Sequence, residues 1–200
     1  MRSNVLIVSA LEVETQGKLD DWTPHNLLIT GVGKVNAAYN LTRRLAVEGS
    51  INYDARLNLV INYGTAGSRK IKKKTLVDCT KFIQRDMDVT GLGFMRGETP
   101  FEDTPPITIQ STSEFNPIGR KATCGTGDNF AEDKSQYYGE VVDMEAYALA
   151  KVCYLYDIPF ISFKYISDGA DGDAGTDWDE NVSKGIVEFK TLVLDKLNET

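Results

Sequence analysis

The stretch "NVLIVSALEVET", residues 4–15, opens with a continuous apolar run of strand length and ends with the acids Glu12 and Glu14. An apolar run without alternation is the pattern of a strand buried on both faces, as in a parallel sheet. The theme returns along the chain. "HNLLITGVG" (25–33) reads as a short strand and a glycine turn at Gly31 and Gly33. "KVNAAYNLTRRLAVE" (34–48) reads as a helix with Val35, Ala38, Leu41 and Leu45 on one face. "ARLNLVINYGTAG" (55–67) gives a strand to Tyr63 and then a turn at Gly64 and Gly67, and "KTLVDCTKFI" (74–83) is another strand.

Residues 84–104 are irregular and rich in glycine and charge, a length that in a compact domain is functional or ordered by a partner subunit. Residues 120–125 read as a candidate short strand. "GEVVD" (139–143) leads into a helix from Met144 to about Tyr156, and "IPFISFKYIS" (158–167) is strongly β-prone. An acidic loop, "DGADGDAGTDWDE" (168–180), precedes a last helix from about Asp179 to Leu197. Alternating strands and helices predict an α/β fold: one domain over residues 1–200, three layers α/β/α, with a mostly parallel mixed central sheet.

The 200 residues are 42% hydrophobic and carry a net charge of −7, which supplies a core and argues against a broad nucleic-acid footprint. The basic run "SRKIKKK" (68–74) reads as a solvated edge. Three unpaired-looking cysteines, Cys79, Cys124 and Cys153, argue against a disulfide framework or a zinc site. No segment has the roughly 20 apolar residues of a membrane helix. The expectation is a reduced, cytoplasmic protein with no membrane partner and no metal or cofactor. "GVGKV" is neither a dinucleotide fingerprint nor a phosphate loop, and the acidic loop breaks calcium spacing at Gly175.

Ligands of such sheets bind beyond the carboxyl ends of the strands. Acids at strand ends therefore face the site, and acids in mid-helix do not. That test selects Glu14, Thr65, Phe130, Glu145 and Asp168, together with Ser167 at the end of the last strand. The set holds acids, hydroxyls and an aromatic ring, with no cysteine or histidine arranged for nucleophilic or metal chemistry. Asp143, two residues before Glu145, reads as a helix cap or the partner of a neighbouring charge.

Taken together, "SALEVET", "GVGKVNAA", "INYGTAG", "DMDVTGLGF", "TGDNF", "VVDMEAYALAKVC" and "PFISFKYISDGAD" resemble the motifs of the nucleoside phosphorylase and nucleosidase superfamily. Within it they most resemble the 5′-methylthioadenosine/S-adenosylhomocysteine nucleosidases. The resemblance implies hydrolysis of the N-glycosidic bond of a purine nucleoside. Glu14 matches the carboxylate that activates water, and Asp168 the acid that protonates N7 of the purine, oriented by Ser167. Met144 and Glu145 match ribose contacts, Phe130 the ring stacked on the base, and the backbone of Ala131 a partner of the base edge. Trp178 falls near the 5′ substituent, and Thr65 stands where serine is usual. A homodimer is implied, with residues 86–97 walling the neighbour's pocket.

The alternatives are a phosphate-using purine nucleoside phosphorylase and a non-catalytic nucleoside-binding protein of the same fold. The resembling phosphorylases carry arginine where this chain has Asn62, and a Gly–Arg pair where it has Glu12 and Glu14. A carboxylate there repels phosphate and suits water activation. Three departures stand out: Lys164 replaces the usual arginine, a hairpin is missing between Leu19 and Leu28, and no helix precedes Lys121.

Overall fold

A computed structural model describes residues 4–19, 26–51, 57–102 and 107–199. Strand β1 (Val5–Ser9) is buried throughout, as its unbroken apolar run requires. Its side chains alternate all the same: Leu6 and Val8 face one hydrophobic cluster, Val5 and Ile7 the other. The first cluster packs against helix α2 (Lys34–Ile51) through Ala37, Leu41 and Leu45, and against helix α3 (Ala146–Leu155). The second packs against the C-terminal helical segments through Ile186, Phe189, Val193 and Leu194. Helices thus cover both faces of one mixed α/β sheet.

The remaining strands are β2 (Leu27–Ile29), β3 (Leu59–Gly67), β4 (Leu76–Gln84), β5 (Thr108–Gln110), β6 (Ala122–Thr126), β7 (Val141–Asp143) and β8 (Phe160–Asp168). Five pairings are parallel: β1–β2, β1–β3, β3–β8, β4–β6 and β6–β7. Three are antiparallel: β3–β7, β4–β5 and β4–β8. The pairings β3–β8–β4–β6–β7 return to β3, so five of the eight strands among the described residues close into a ring. Closure brings the ends of β3, β6, β7 and β8 around one mouth.

Several local expectations change. Gly64 and Gly67 are not a turn, because β8 pairs with β3 from Val60 to Gly67 and holds it extended through both glycines. The acidic run is not all loop: helix α4 occupies Ala174–Asn181, with Asp177 in its first turn, where the helix dipole favours an acid. The last helix starts at Ile186, not 179. It runs as α5 (Ile186–Phe189), a π-turn (Lys190–Leu194) and α6 (Asp195–Glu199). Helix α3 begins at Ala146 rather than Met144. Three-residue β5 gave no sequence signal. Within 84–102 the chain is irregular after Gln84 except for a 3-10 turn at Thr90–Leu92. The hairpin expected to be missing, and residues 103 and 104 of the irregular segment, fall at least partly outside the described residues. No described residue from 107 to 121 is helical.

Candidate active site

Just after β1, a single helical turn, α1 (Glu12–Thr15), separates the first two acids: Glu12 is exposed and Glu14 buried. Glu14 is held by four hydrogen bonds. Its Oε2 accepts from Ser9 Oγ at 2.9 Å and from the Leu11 amide at 3.2 Å. Its Oε1 accepts from the Thr65 amide at 2.7 Å and from Thr65 Oγ1 at 2.9 Å. The Leu11 contact is the back-reach of an N3 glutamate to the start of its own helix. One side chain therefore serves both as helix cap and as pocket wall.

At the end of β8, Asp168 Oδ2 accepts from Ser167 Oγ at 2.8 Å, and Oδ1 accepts from the Ala170 amide at 2.9 Å. Burial, aided by the charges of Asp177 and Asp171, raises its pKa above the ordinary aspartate value, and those two hydrogen bonds pull the other way. The glycines of β3 make room for these acids. A Cβ at Gly64 would sit 3.1 Å from Glu14 Oε1 and 3.2 Å from Lys164 Nζ, and a Cβ at Gly67 would collide with Asp168 Oδ1.

Glu145 is buried before α3, where its Oε1 accepts from the Gly33 amide at 2.8 Å, at the start of α2. Gly33 has φ +93°, a conformation that favours glycine. Burial, with the neighbouring Asp143 charge, pushes the Glu145 carboxyl up to about 7. Asp143 does both things expected of it. Its Oδ2 accepts from the Ala146 amide at 2.9 Å and pairs with Lys164 Nζ at 2.9 Å, while Oδ1 accepts from Thr126 Oγ1 at 2.5 Å. Burial opposes its ionisation, but Lys164 and these hydrogen bonds outweigh that and hold the pKa below the usual value.

These groups surround one cavity of about 430 Å³, lined by eight of the nine expected residues: Glu14, Thr65, Phe130, Ala131, Met144, Glu145, Asp168 and Trp178. The ninth, Ser167, does not line the cavity; its Oγ lies against Asp168 and the Ala66 carbonyl, both belonging to lining residues. Phe130 is 39% exposed at the cavity rather than packed in the core. Trp178, on α4, donates from Nε1 to Thr65 Oγ1 at 3.0 Å.

Sequence reasoning missed Arg85, which lines the cavity at 2% exposure. Its Nη1 donates to Asn129 Oδ1 at 2.9 Å and to the Gln136 carbonyl at 3.1 Å, and its Nη2 to the Asn129 carbonyl, which fixes the loop carrying Phe130. It also missed Asn181, whose Nδ2 donates to the Ser167 carbonyl at 2.9 Å. The only sequence trace of Arg85 is a charge at a strand end; Asn181 left none. Asn62 is buried in the sheet, donating to the Val8 carbonyl at 3.0 Å and accepting from Ser162 Oγ at 2.7 Å.

A model of the phosphorylase superfamily matches residues 15–197. The chain belongs to that superfamily. Among the superfamily's curated members, the 5′-methylthioadenosine/S-adenosylhomocysteine nucleosidase of Haemophilus influenzae (strain PittEE) is 30% identical over 191 residues, covering 86% of this chain and 80% of the relative. This phosphorylase-superfamily chain is an N-glycosyl hydrolase of the nucleosidase kind. Two of the solved structures that share its fold illustrate the likeness. One is the same-named nucleosidase from Helicobacter pylori with butyl-thio-DADMe-Immucillin-A, with a TM-score of 0.83, 22% identity and 98% of both chains covered. The other is native futalosine hydrolase of Helicobacter pylori strain 26695, with a TM-score of 0.81 and 21% identity, covering 96% of this chain and 97% of that one.

Proposed function

We propose that the chain hydrolyses the N-glycosidic bond of a purine nucleoside, with 5′-methylthioadenosine or S-adenosylhomocysteine as the favoured substrates. One observation carries this reading: two buried carboxylates in different settings, Glu14 beside Thr65 and Asp168 beside Gly67, meet one cavity at the end of β3. Phe130 stacks on the base, and the Ala131 backbone contacts its edge. Met144 and Glu145 hold the ribose, Glu145 accepting from its hydroxyls, and Trp178 lies against the 5′ substituent.

Cleavage of such a bond passes through an oxocarbenium-like state. Asp168 gives its proton to N7 as the C1′–N9 electron pair moves into the purine. Glu14 takes a proton from water as the water oxygen bonds to C1′. The products are free purine and free sugar, and the two carboxyls then exchange their proton through solvent. The raised pKa of Asp168 suits a group that must arrive protonated. Glu145, once ionised above its pKa of about 7, favours the cationic sugar through its negative charge.

Phosphorolysis fits less well. The Nη donors of Arg85 are committed to the Phe130 loop, Lys164 is committed to Asp143, and Glu14 repels an anion. The test is a panel of 5′-methylthioadenosine, S-adenosylhomocysteine, adenosine, inosine and futalosine, each with and without phosphate. Free sugar at a rate independent of phosphate is expected; a sugar 1-phosphate overturns the reading. Asp168→Asn and Glu14→Gln should each lower kcat by roughly 100-fold or more while nucleoside affinity changes little. Near-normal turnover in either variant removes that residue from its role.

The same reading includes a homodimer in the cytoplasm. Val35 and Tyr39, one turn apart on α2, are 78% and 63% exposed, and Leu92 and Met95 are exposed in the irregular segment. Such an apolar surface suits burial against a second copy. Cys79, Cys124 and Cys153 are buried free thiols, which suits a reducing compartment, and no described helix is long and apolar enough to cross a membrane.

A further inference from the structure

We propose that Trp178 is a positioning residue for Glu14, acting through the Thr65 hydroxyl; this rests on the nucleosidase reading and extends it. The chain of contacts has a fixed direction. An indole N–H only donates, so the 3.0 Å contact from Trp178 Nε1 must be accepted by Thr65 Oγ1. The single hydroxyl hydrogen of Thr65 is then left for Glu14 Oε1, 2.9 Å away. Glu14 Oε1 also takes the Thr65 amide at 2.7 Å, so both donors of this one residue grip one carboxylate oxygen. Threonine is stiff at χ1, and the indole fixes its hydroxyl further.

Helix α4 is placed to do this. Asn181 lies three residues after Trp178 and therefore on the same side of the helix. Its Nδ2 bonds to the Ser167 carbonyl at 2.9 Å, while Ser167 Oγ bonds to Asp168 at 2.8 Å. One helix thus touches the supports of both acids: Trp178 toward Glu14, Asn181 toward Asp168. A phenylalanine at 178 would keep the ring against the 5′ substituent and lose the donor. The role of Trp178 at Glu14 is therefore separable from packing.

The test is steady-state kinetics of wild type, Trp178→Phe, Thr65→Val and the double variant, on 5′-methylthioadenosine and on adenosine. Trp178→Phe should lower kcat about tenfold on both nucleosides with KM changed less than about twofold, the size expected for losing one orienting hydrogen bond. The double variant should be no slower than Thr65→Val, because Trp178 acts only through that hydroxyl. As a second measurement, independent of how the Phe variant folds, the Trp178 indole N–H resonance in 15N-labelled protein should shift in Thr65→Val. An unchanged kcat in Trp178→Phe, a loss confined to KM for the 5′-substituted nucleoside, an additive double variant or an unmoved resonance each overturns the inference. Those results leave the hydrolase reading standing as long as the wild type releases purine. A wild type that releases none from any nucleoside overturns both.

Discussion

At the scale of single residues, two buried carboxylates of the site are heavily hydrogen-bonded. Glu14 accepts four bonds and Asp143 is shared by Ala146, Lys164 and Thr126. Tyr63 is the contrast: it is wholly buried, stacked on Phe189 at 4.4 Å, and its hydroxyl has no hydrogen-bond partner among the described residues. An unmet buried hydroxyl costs about 1–3 kcal/mol, so Tyr63→Phe should leave the melting temperature unchanged or raise it by a few degrees. A clear fall in a thermal melt would show that the hydroxyl is satisfied. Glu145 makes stability depend on pH. Its folded pKa of about 7 lies above the ordinary 4.5, so the folded state binds the proton more tightly than the unfolded state. The resulting penalty is absent below about pH 4.5, grows as pH rises, and is complete above about pH 7. Glu145→Gln keeps an acceptor for the Gly33 amide and removes the charge. The melting-temperature gain over wild type should therefore be several degrees larger at pH 8 than at pH 4.5, at about 2–4 °C per kcal/mol. An equal difference at both pH values would refute this account.

At the scale of elements, β3 carries the site because its glycines let carboxylates approach. Gly67→Ala would drive a methyl into Asp168 Oδ1 and to 3.1 Å from Ala170 Cβ. A misplaced acid costs on the order of 100-fold in rate, so kcat should fall by that factor while circular dichroism still reports the native fold. Gly172, with open space around its would-be Cβ, is the control, and Gly172→Ala should keep wild-type kcat. A Gly67→Ala enzyme at full rate would mean that Asp168 does not need its present position. The strand-end rule picked out Glu14, Glu145 and Asp168 because strand length and the following polar residues are local features. The glycine pattern suggests a turn at Gly64 and Gly67, because pairing with β8 along the whole strand is invisible locally. For a similar reason, the acidic, glycine-rich composition of 168–180 suggests a loop where α4 lies. Helix α4 carries three contacts to residues well away in sequence: Trp178 to Thr65, Asp177 to Lys73 and Asn181 to Ser167.

At the scale of the whole molecule, the closed ring of β3, β8, β4, β6 and β7 sets the site, and the outer face of α2 sets the expected assembly. Val35 and Tyr39 project from that helix, beside a shallow groove lined by Ala38, Tyr39, Thr42, Arg43 and Ala46. Sedimentation equilibrium should give twice the mass of one chain at micromolar concentration. Tyr39→Glu, which puts a charge on this face, should shift the protein toward monomer and leave its far-UV spectrum intact. A wild type that sediments as a monomer at every concentration would remove the dimer from the proposal.

The sequence by itself determined the α/β class, the two-faced burial of the strands and the acids at their ends, because apolar periodicity and strand length are carried by neighbouring residues. It also read Asp143 as a helix cap or the partner of a neighbour, and the Ala146 amide and Lys164 are such partners. Only the tertiary structure decided that the sheet closes on itself, that Lys164 neutralises Asp143, that Arg85 grips the Phe130 loop and that Trp178 reaches Glu14 through Thr65. Each of those contacts joins residues far apart in the chain. Their meeting depends on strand register and helix placement, which no local pattern encodes.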